Sequence, residues 1–557
     1  MERIQDYNQA LIRCLYGWKD GQQPMPFEWK PEHILAAIDV GTNSVHMVVV
    51  RVEPYLPSFS IIAAEKETVR LGERCPKTGE LTPEAMQRTT NALRRFKTRA
   101  ESLKAESILA VATSATREAP NGQDFLKHIH KTLGLEIDLI SGAEEARRIY
   151  LGVLSAMEFQ EQPHIVIDIG GGSTELILGS GHEPRCLNST KLGAVRLSRE
   201  FVTTDPLSNE EFITLQTYIR GMMERSVDEV LAELKPGEIT KLVGTSGTIE
   251  TLAMLHSSRY LGTIPDPLHG YQISLKDLQA LIEMMRHLNA KGRSEMPGMS
   301  ERRSEIILPG ALILQESMIL LKQETITVCQ RALREGVIVD WMLTRGLIED
   351  RLRYQSSVRK RSVLSTAKKY QVNLTYSDRV AEFSLSLFDQ LQSILHHWGD
   401  EERALLWASA ILHNSGHFIS HSAHHKHSYY LIRHGNLLGY TETEIEAIAN
   451  LARYHRKSGP KSRHENYRNL VSKTLRQMVD ELSPILRLAV ALDRRQIGAI
   501  RAVTCTYDDR SKTLKLKLTP THPEDDCALE IWNLNEKKGE FEKVFGVQVE
   551  PVLQQCL

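Results

Sequence analysis

Residues 165–179, IVIDIGGGSTELILG, place an acid, three glycines and two hydroxyls between two apolar runs. A strand that runs into Gly170, Gly171 and Gly172 has a backbone with no Cβ in the way, so an anion can reach its amides. Successive amides in such a turn form a concave nest for phosphate, and Ser173 and Thr174 add hydroxyl donors. Asp168, at the strand end, is where a carboxylate would hold a hydrated Mg²⁺, and Glu175 is a second candidate. The competing reading is a glycine-rich hairpin with a solvated Asp.

The same order recurs upstream. Residues 34–52, ILAAIDVGTNSVHMVVVRV, give a strand, then Asp39, Gly41, Thr42, Asn43 and Ser44, then another strand. Asp39 repeats Asp168 as a candidate metal carboxylate. A repeated phosphate loop predicts two similar domains facing each other across a cleft, with two hairpins cradling one phosphate chain. A third anion-friendly turn stands at 241–255, KLVGTSGTIETLAML. There Gly244, Thr245, Ser246, Gly247 and Thr248 open a helix whose dipole adds to the amides.

Between the loops the pattern is α/β. A helix is expected over 83–106, a strand over 108–113, a helix over 125–133 and a strand over 135–140. Arg117 follows a strand end and is either a cleft cation or a surface residue. Ser141 caps the next helix, and Glu144 occupies its capping-box position, which makes Glu144 structural. Glu145 points elsewhere, and a carboxylate between phosphate loops suits the positioning of water. A helix over 210–233 follows the second loop, and residues 300–341 add a helix, a strand and a closing helix. Arg302 and Arg303 read equally as cleft cations or solvated charges.

The totals exclude several classes. A length of 557 residues suggests about two to four domains. Lys+Arg 69 against Asp+Glu 70 leaves a net charge of -1, so no global field draws the chain to nucleic acid or membrane. Seven scattered cysteines without a CxxC pair argue for free thiols in a reducing compartment. The N-terminal residues lack the apolar core of a signal peptide and no apolar run approaches ~20 residues, so a cytoplasmic protein without a membrane span is expected.

IDVGTNSVHMVVV, SATREAPN, ISGAEEARRIYLGV, VIDIGGGSTELILG, GTSGTIETLA, ERRSEIILPGALIL and ALREGVI, in that order, resemble the exopolyphosphatase / guanosine pentaphosphate phosphatase family. The resemblance spans about residues 34–340 and implies two actin-like (ribonuclease H-like) ATPase-fold domains. It also implies Mg²⁺-dependent release of a terminal phosphate, with a monovalent cation such as K⁺ as a further cofactor. Glu145 then stands at the position of the family's base, and Arg117 is a further catalytic candidate. Asp168 and Glu175 stand at the metal- or water-organising positions, and the 41–44 and 170–174 loops bind phosphate. The expected activity is exopolyphosphatase, with guanosine pentaphosphate hydrolysis as the alternative. An ATP-dependent kinase and a non-catalytic polyphosphate or alarmone sensor are weaker rivals. Family members commonly dimerise, so a homodimer is expected.

Five segments follow: an N-terminal extension (1–33), actin-like domain I (34–140), domain II (141–340), a helical HD-like domain (341–500) and a small α+β cap (501–557). The helical part resembles metal-dependent HD phosphohydrolases, but its doublet reads His413-Asn414. The first metal His is replaced by Asp378 or Arg379, and Asp493 could be a last ligand. Asn is a weaker, neutral ligand, so a catalytically silent domain is expected. His421, Lys426, Arg453, Arg456 and Lys457 lie in basic stretches without acids, suited either to solvent or to a channel for a long polyanion. In the cap, 513–520 and 527–534 alternate and predict two strands.

Overall fold

The computed structural model describes residues 32–554 except 55, 57, 160, 161, 182, 183, 349–357, 436 and 471. The expected N-terminal lead falls outside them. The described residues divide into two compact units, 32–358 and 359–554.

The first unit holds two sheets of matching design. Strands β1 (His33–Val40), β2 (Ser44–Glu53), β3 (Ser58–Thr68), β4 (Ser107–Ala112) and β5 (Ile137–Leu139) are ordered β3-β2-β1-β4-β5. β1, β2 and β3 form an antiparallel meander, whereas β4 and β5 extend it in parallel. The second sheet has β6 (His164–Ile169), β7 (Thr174–Gly179), β8 (Cys186–Thr190), β9 (Lys241–Thr245), β10 (Gln272–Ser274) and β11 (Thr325–Val328), ordered β10-β11-β9-β6-β7-β8. The meander β6-β7-β8 and the parallel β9 and β11 repeat the first design, as the duplicated motif predicts. β6 is buried at every position, which is why its sequence is a continuous apolar run rather than an alternation.

Register puts the acids in equivalent places. Asp39 ends β1 opposite His46, and Asp168 ends β6 opposite Glu175. Helices Pro83–Ser102 and Gly122–Leu133 cover one face of the first sheet, and Asn209–Ala232, Gly247–Leu261 and Ile307–Leu320 cover the far face of the second. Between the sheets lie helices Gly142–Leu154 and Leu333–Thr344, packed on β7 and β8 and on β1 and β2 respectively. They cross through glycines. A Cβ on Gly336 would strike the Arg148 carbonyl, and one on Gly152 the Ala332 carbonyl, so the backbones touch where a larger residue would part them.

The second unit is helical from Leu374–Leu391 through Lys473–Leu492, followed by a three-stranded sheet of β12 (Ile500–Asp508), β13 (Thr513–Pro520) and β14 (Gln548–Leu553). The strand expected at 527–534 is instead the start of helix Ala528–Lys537. Its buried residues Glu530, Asn533 and Leu534 stand at i, i+3 and i+4, a helical spacing that outweighs the short alternation. Among the described residues no helix is long and apolar enough to cross a membrane.

Candidate active site

The two glycine loops meet. A Cβ on Gly171 would lie 3.1 Å from Thr42 Cβ, and one on Gly172 would lie 2.6 Å from Ser114 Oγ and 2.7 Å from Thr42 Oγ1. Each loop turns its carbonyls away from this junction. The Thr42 carbonyl accepts from Gly72 N (2.8 Å), and that of Asn43 from Val69 N and Arg70 N (3.1 and 2.8 Å). In the second loop, Gly170 O accepts from Ala194 N (3.0 Å), and Gly171 O from Val195 N and Arg196 N (3.0 and 3.1 Å). Because carbonyl and amide point oppositely across a peptide plane, tying the carbonyls outward leaves amides facing the junction. No acceptor among the described residues takes the amides of Thr42, Asn43, Gly171, Gly172 or Ser173. That is the donor pattern of an anion nest.

The hydroxyls divide by role. Ser44 and Ser173 are buried at the loops. Thr174 Oγ1 donates to Leu192 O (2.6 Å) and Thr248 Oγ1 to Ile169 O (3.2 Å), so both hydroxyls serve the backbone. In the third turn Gly244 faces the core: its Cβ would meet Ile249 side-chain atoms. Ser246 caps helix Gly247–Leu261 with φ at 101°, a left-handed value unusual for serine, and its Oγ is buried without a partner. A strained backbone with an unpaired hydroxyl at a helix start suits a ligand contact. The Arg303 guanidinium covers Gly247 at the same turn.

Four carboxylates converge beside the loops. Glu144 is occupied elsewhere, by Arg147 and Arg148 at 2.7 Å each, and Ser141 Oγ accepts from its amide (3.2 Å). One turn position further, Glu145 is buried and receives Arg117 Nη1 at 3.1 Å, while the same nitrogen donates to Ile140 O at 2.8 Å. Arg117 is thus a cleft residue rather than a surface one. Burial raises Glu145 well above the ordinary carboxylate range, and Glu175 adds to this while Arg117 opposes it. Asp168 is pushed up to about 8 by burial and then by Glu145 and Asp39, and Asp39 to about 6 by burial, with Arg334 opposing. Glu175 is raised by burial and by Asp168, although Ser189 Oγ donates to it at 2.8 Å. The Asp39 Oδ1 atom is buried with no hydrogen-bond partner. Such a group needs cations or protons.

Sequence reasoning missed a neighbouring wall. His46, Lys66, Glu250, Arg303 and Arg334 come from five elements and face one another. Lys66 and Arg303 are lowered, chiefly by burial, and His46 likewise, with Arg334, Lys66 and Arg303 pressing on it. Glu250 is raised by burial against the pull of Arg334, Lys66 and Arg303. Arg334 acts on Asp39 and Asp168 as well, and Glu250 on Asp168, so this group adjoins the acids at the two strand ends. Of this wall only Arg303 carried a signal, as one of two adjacent arginines ahead of an apolar helix.

The second unit has its own polar cluster. Asp493, a candidate last metal ligand, is fully buried and committed: Oδ2 accepts from Arg379 Nε at 2.7 Å and Oδ1 from Gly498 N at 3.0 Å. Among the described residues no three His, Cys, Asp or Glu side chains are placed to hold a metal. Lys426, Arg453, Arg456 and Lys457 all press on His425, and the His421 ring lies 5.0 Å from that of His417, so the basic residues do gather. Arg456 Nη1 lies 3.1 Å from His424 Nδ1.

Duplicated α/β lobes that bring two glycine loops against buried carboxylates are the architecture of the actin-like class. A model of the Ppx/GppA phosphatase family matches residues 48–345, and one of Ppx/GppA phosphatase, domain III matches 358–538. The chain belongs to this phosphatase family, whose members hydrolyse phosphoanhydride bonds. A guanosine-5'-triphosphate,3'-diphosphate pyrophosphatase of Vibrio vulnificus is 31% identical over 486 residues, 87% of this chain and 92% of that protein. Its namesake from Pseudoalteromonas atlantica is 30% identical over 467 residues, 84% of this chain and 87% of that protein. The crystal structure of an exopolyphosphatase from Cytophaga hutchinsonii matches with 27% identity and a TM-score of 0.52, covering 56% of this chain and 98% of that one.

Proposed function

We propose that the protein removes the terminal 5'-phosphate of guanosine pentaphosphate by Mg²⁺-assisted attack of water, giving orthophosphate and guanosine tetraphosphate. The substrate follows the two pyrophosphatase relatives, each matched over at least 84% of this chain, and so reverses the order expected from sequence, which put polyphosphate first. The observation that carries the chemistry is the pair of loops with outward carbonyls beside Glu145 and Asp168.

Magnesium fits the oxygen donors present. Asp39 Oδ1 is an orphan, Asp168 is its counterpart in the second lobe, and Glu175 pairs with Asp168 across the hairpin. Mg²⁺ keeps several waters and is held by one or two carboxylates plus substrate phosphates, a demand that Asp39 and Asp168 can meet. When bound, it would offset charge on the phosphoryl oxygens.

The chain's own groups supply the rest. The amides of Gly171, Gly172, Ser173, Thr42 and Asn43 hold the terminal phosphoryl group between the lobes. Glu145 orients water on one side of it and accepts its proton, with Arg117 fixing the carboxylate. The bond between the terminal phosphorus and its bridging oxygen breaks toward Lys66, Arg303 and Arg334, whose charges steady the departing polyanion.

Polyphosphate remains a second reading, supported by the exopolyphosphatase similarity and by the cations around His425. Phosphate release from guanosine pentaphosphate, tripolyphosphate and long polyphosphate, each with and without Mg²⁺, tests the choice. A higher kcat/KM on the nucleotide supports the proposal, and a higher value on long chains would replace it with the second reading.

A further inference from the structure

We infer that Arg196 is a positioning residue that, with Glu118, clasps the second phosphate loop to the turn carrying Arg117. The inference rests on the phosphatase reading above. Arg196 sits in helix Ala194–Phe201, and its backbone amide already caps Gly171 O. Its side chain forks. Nε donates to Gly172 O at 3.1 Å, and Nη2 donates to Glu118 Oε2 at 2.7 Å. The other oxygen of Glu118 accepts from Ser114 Oγ at 2.8 Å, so the carboxylate also closes the short helix Ser114–Arg117 onto itself.

The two ends of this fork bear on different halves of the chemistry. Holding Gly172 O fixes the peptide plane whose amide, Ser173 N, faces the phosphate. Holding Glu118 fixes the residue next to Arg117, which in turn holds Glu145. Side-chain exposures of 21% for Arg196 and 13% for Glu118 keep the pair largely out of water. A planar guanidinium can satisfy both acceptors at once, whereas a lysine ammonium on a flexible stem reaches one or the other. Neither residue touches the reacting atoms.

The test combines kinetics with hydrogen exchange on the full chain. Arg196→Ala and Glu118→Gln should each lower kcat for phosphate release from guanosine pentaphosphate about tenfold through lost alignment. The double variant should lose no more than the worse single one, because coupled residues are not additive. Arg196→Lys should recover only part of the loss. Independently of turnover, the amides of Arg117 and Glu118, bonded to Thr113 O and Ser114 O, should exchange faster in Arg196→Ala. Glu118→Gln carries the same test if Arg196→Ala does not fold. Multiplying losses, or unchanged exchange at 113–118, would overturn the clasp. Absence of phosphate release by the unmodified protein would overturn the functional reading instead, and the exchange measurement would still decide the clasp.

Discussion

Arg117 Nη1 stands 3.1 Å from Glu145 Oε2 and 2.8 Å from Ile140 O, so one nitrogen ties the proposed base to the residue that follows β5. Arg117 thus holds Glu145 in place and partly offsets the repulsion from Glu175. Replacing Arg117 with Ala should therefore lower kcat about 10- to 100-fold with a smaller change in KM. Steady-state kinetics check this, and a change confined to KM would assign Arg117 to substrate binding.

The crossing of Gly142–Leu154 and Leu333–Thr344 fixes the helix that carries Glu145. With backbone on both sides, a methyl group at Gly152 or Gly336 has no flexible neighbour to displace. Gly336→Ala should destabilise the first unit by about 3 kcal/mol, the upper part of the range for overpacked cores. Denaturant unfolding measures it. A loss under about 0.5 kcal/mol, the size of a neutral surface change, would mean that the helices separate freely.

Much of this site was legible because its signals are local. The strand–Asp–Gly loops announce themselves within a dozen residues, and Ser141 sets the phase that sends Glu144 outward and Glu145 inward. Lys66, His46, Glu250 and Arg334 carry no such mark, since they meet only through sheet order and the crossing helices. Thr174 and Thr248 show the converse: a hydroxyl in a glycine loop is as easily donated to a carbonyl as offered to a ligand. Asp493 was read by its position after an apolar helix, but its partner Arg379 lies 114 residues away in sequence. Helix Ala528–Lys537 reads as a strand because the alternating Cys527, Leu529 and Ile531 mask the helical spacing of its buried Glu530, Asn533 and Leu534.

Protonation gives a handle on the metal. Burial pushes both Asp168 and Glu175 up to about 8 in the metal-free protein. A divalent cation favours their ionised forms, so Mg²⁺ binding should release protons at pH 7 and tighten as pH rises to 9. Calorimetry in two buffers of different ionisation enthalpy counts the protons, and zero release at pH 7 would contradict this electrostatic picture.

The second unit should fail on the acid side. The Nδ1 of His413 donates to Ala410 O at 2.6 Å, leaving Nε2 buried and unpartnered, and burial lowers its pKa to about 4. His425 is likewise lowered to about 4, by burial and then by Arg453. A folded pKa below the unfolded one means that the unfolded chain takes up the proton first as pH falls. The stabilisation is complete above pH 6.5 and is lost toward pH 4, on the order of 3 kcal/mol for His413 alone. Hydrogen exchange across 405–455 should accelerate in that window, and His413→Gln should flatten the dependence.

The central claim is that Glu145 activates water against a phosphate held by the two loops. Single-turnover release of orthophosphate from guanosine pentaphosphate, with Mg²⁺, by the unmodified protein and by Glu145→Gln tests it most directly. The account predicts a loss of about 10³-fold or more in the rate, within reach of a general base that also orients its water, with nucleotide affinity unchanged. A Glu145→Gln protein that releases phosphate at close to the normal rate would contradict it.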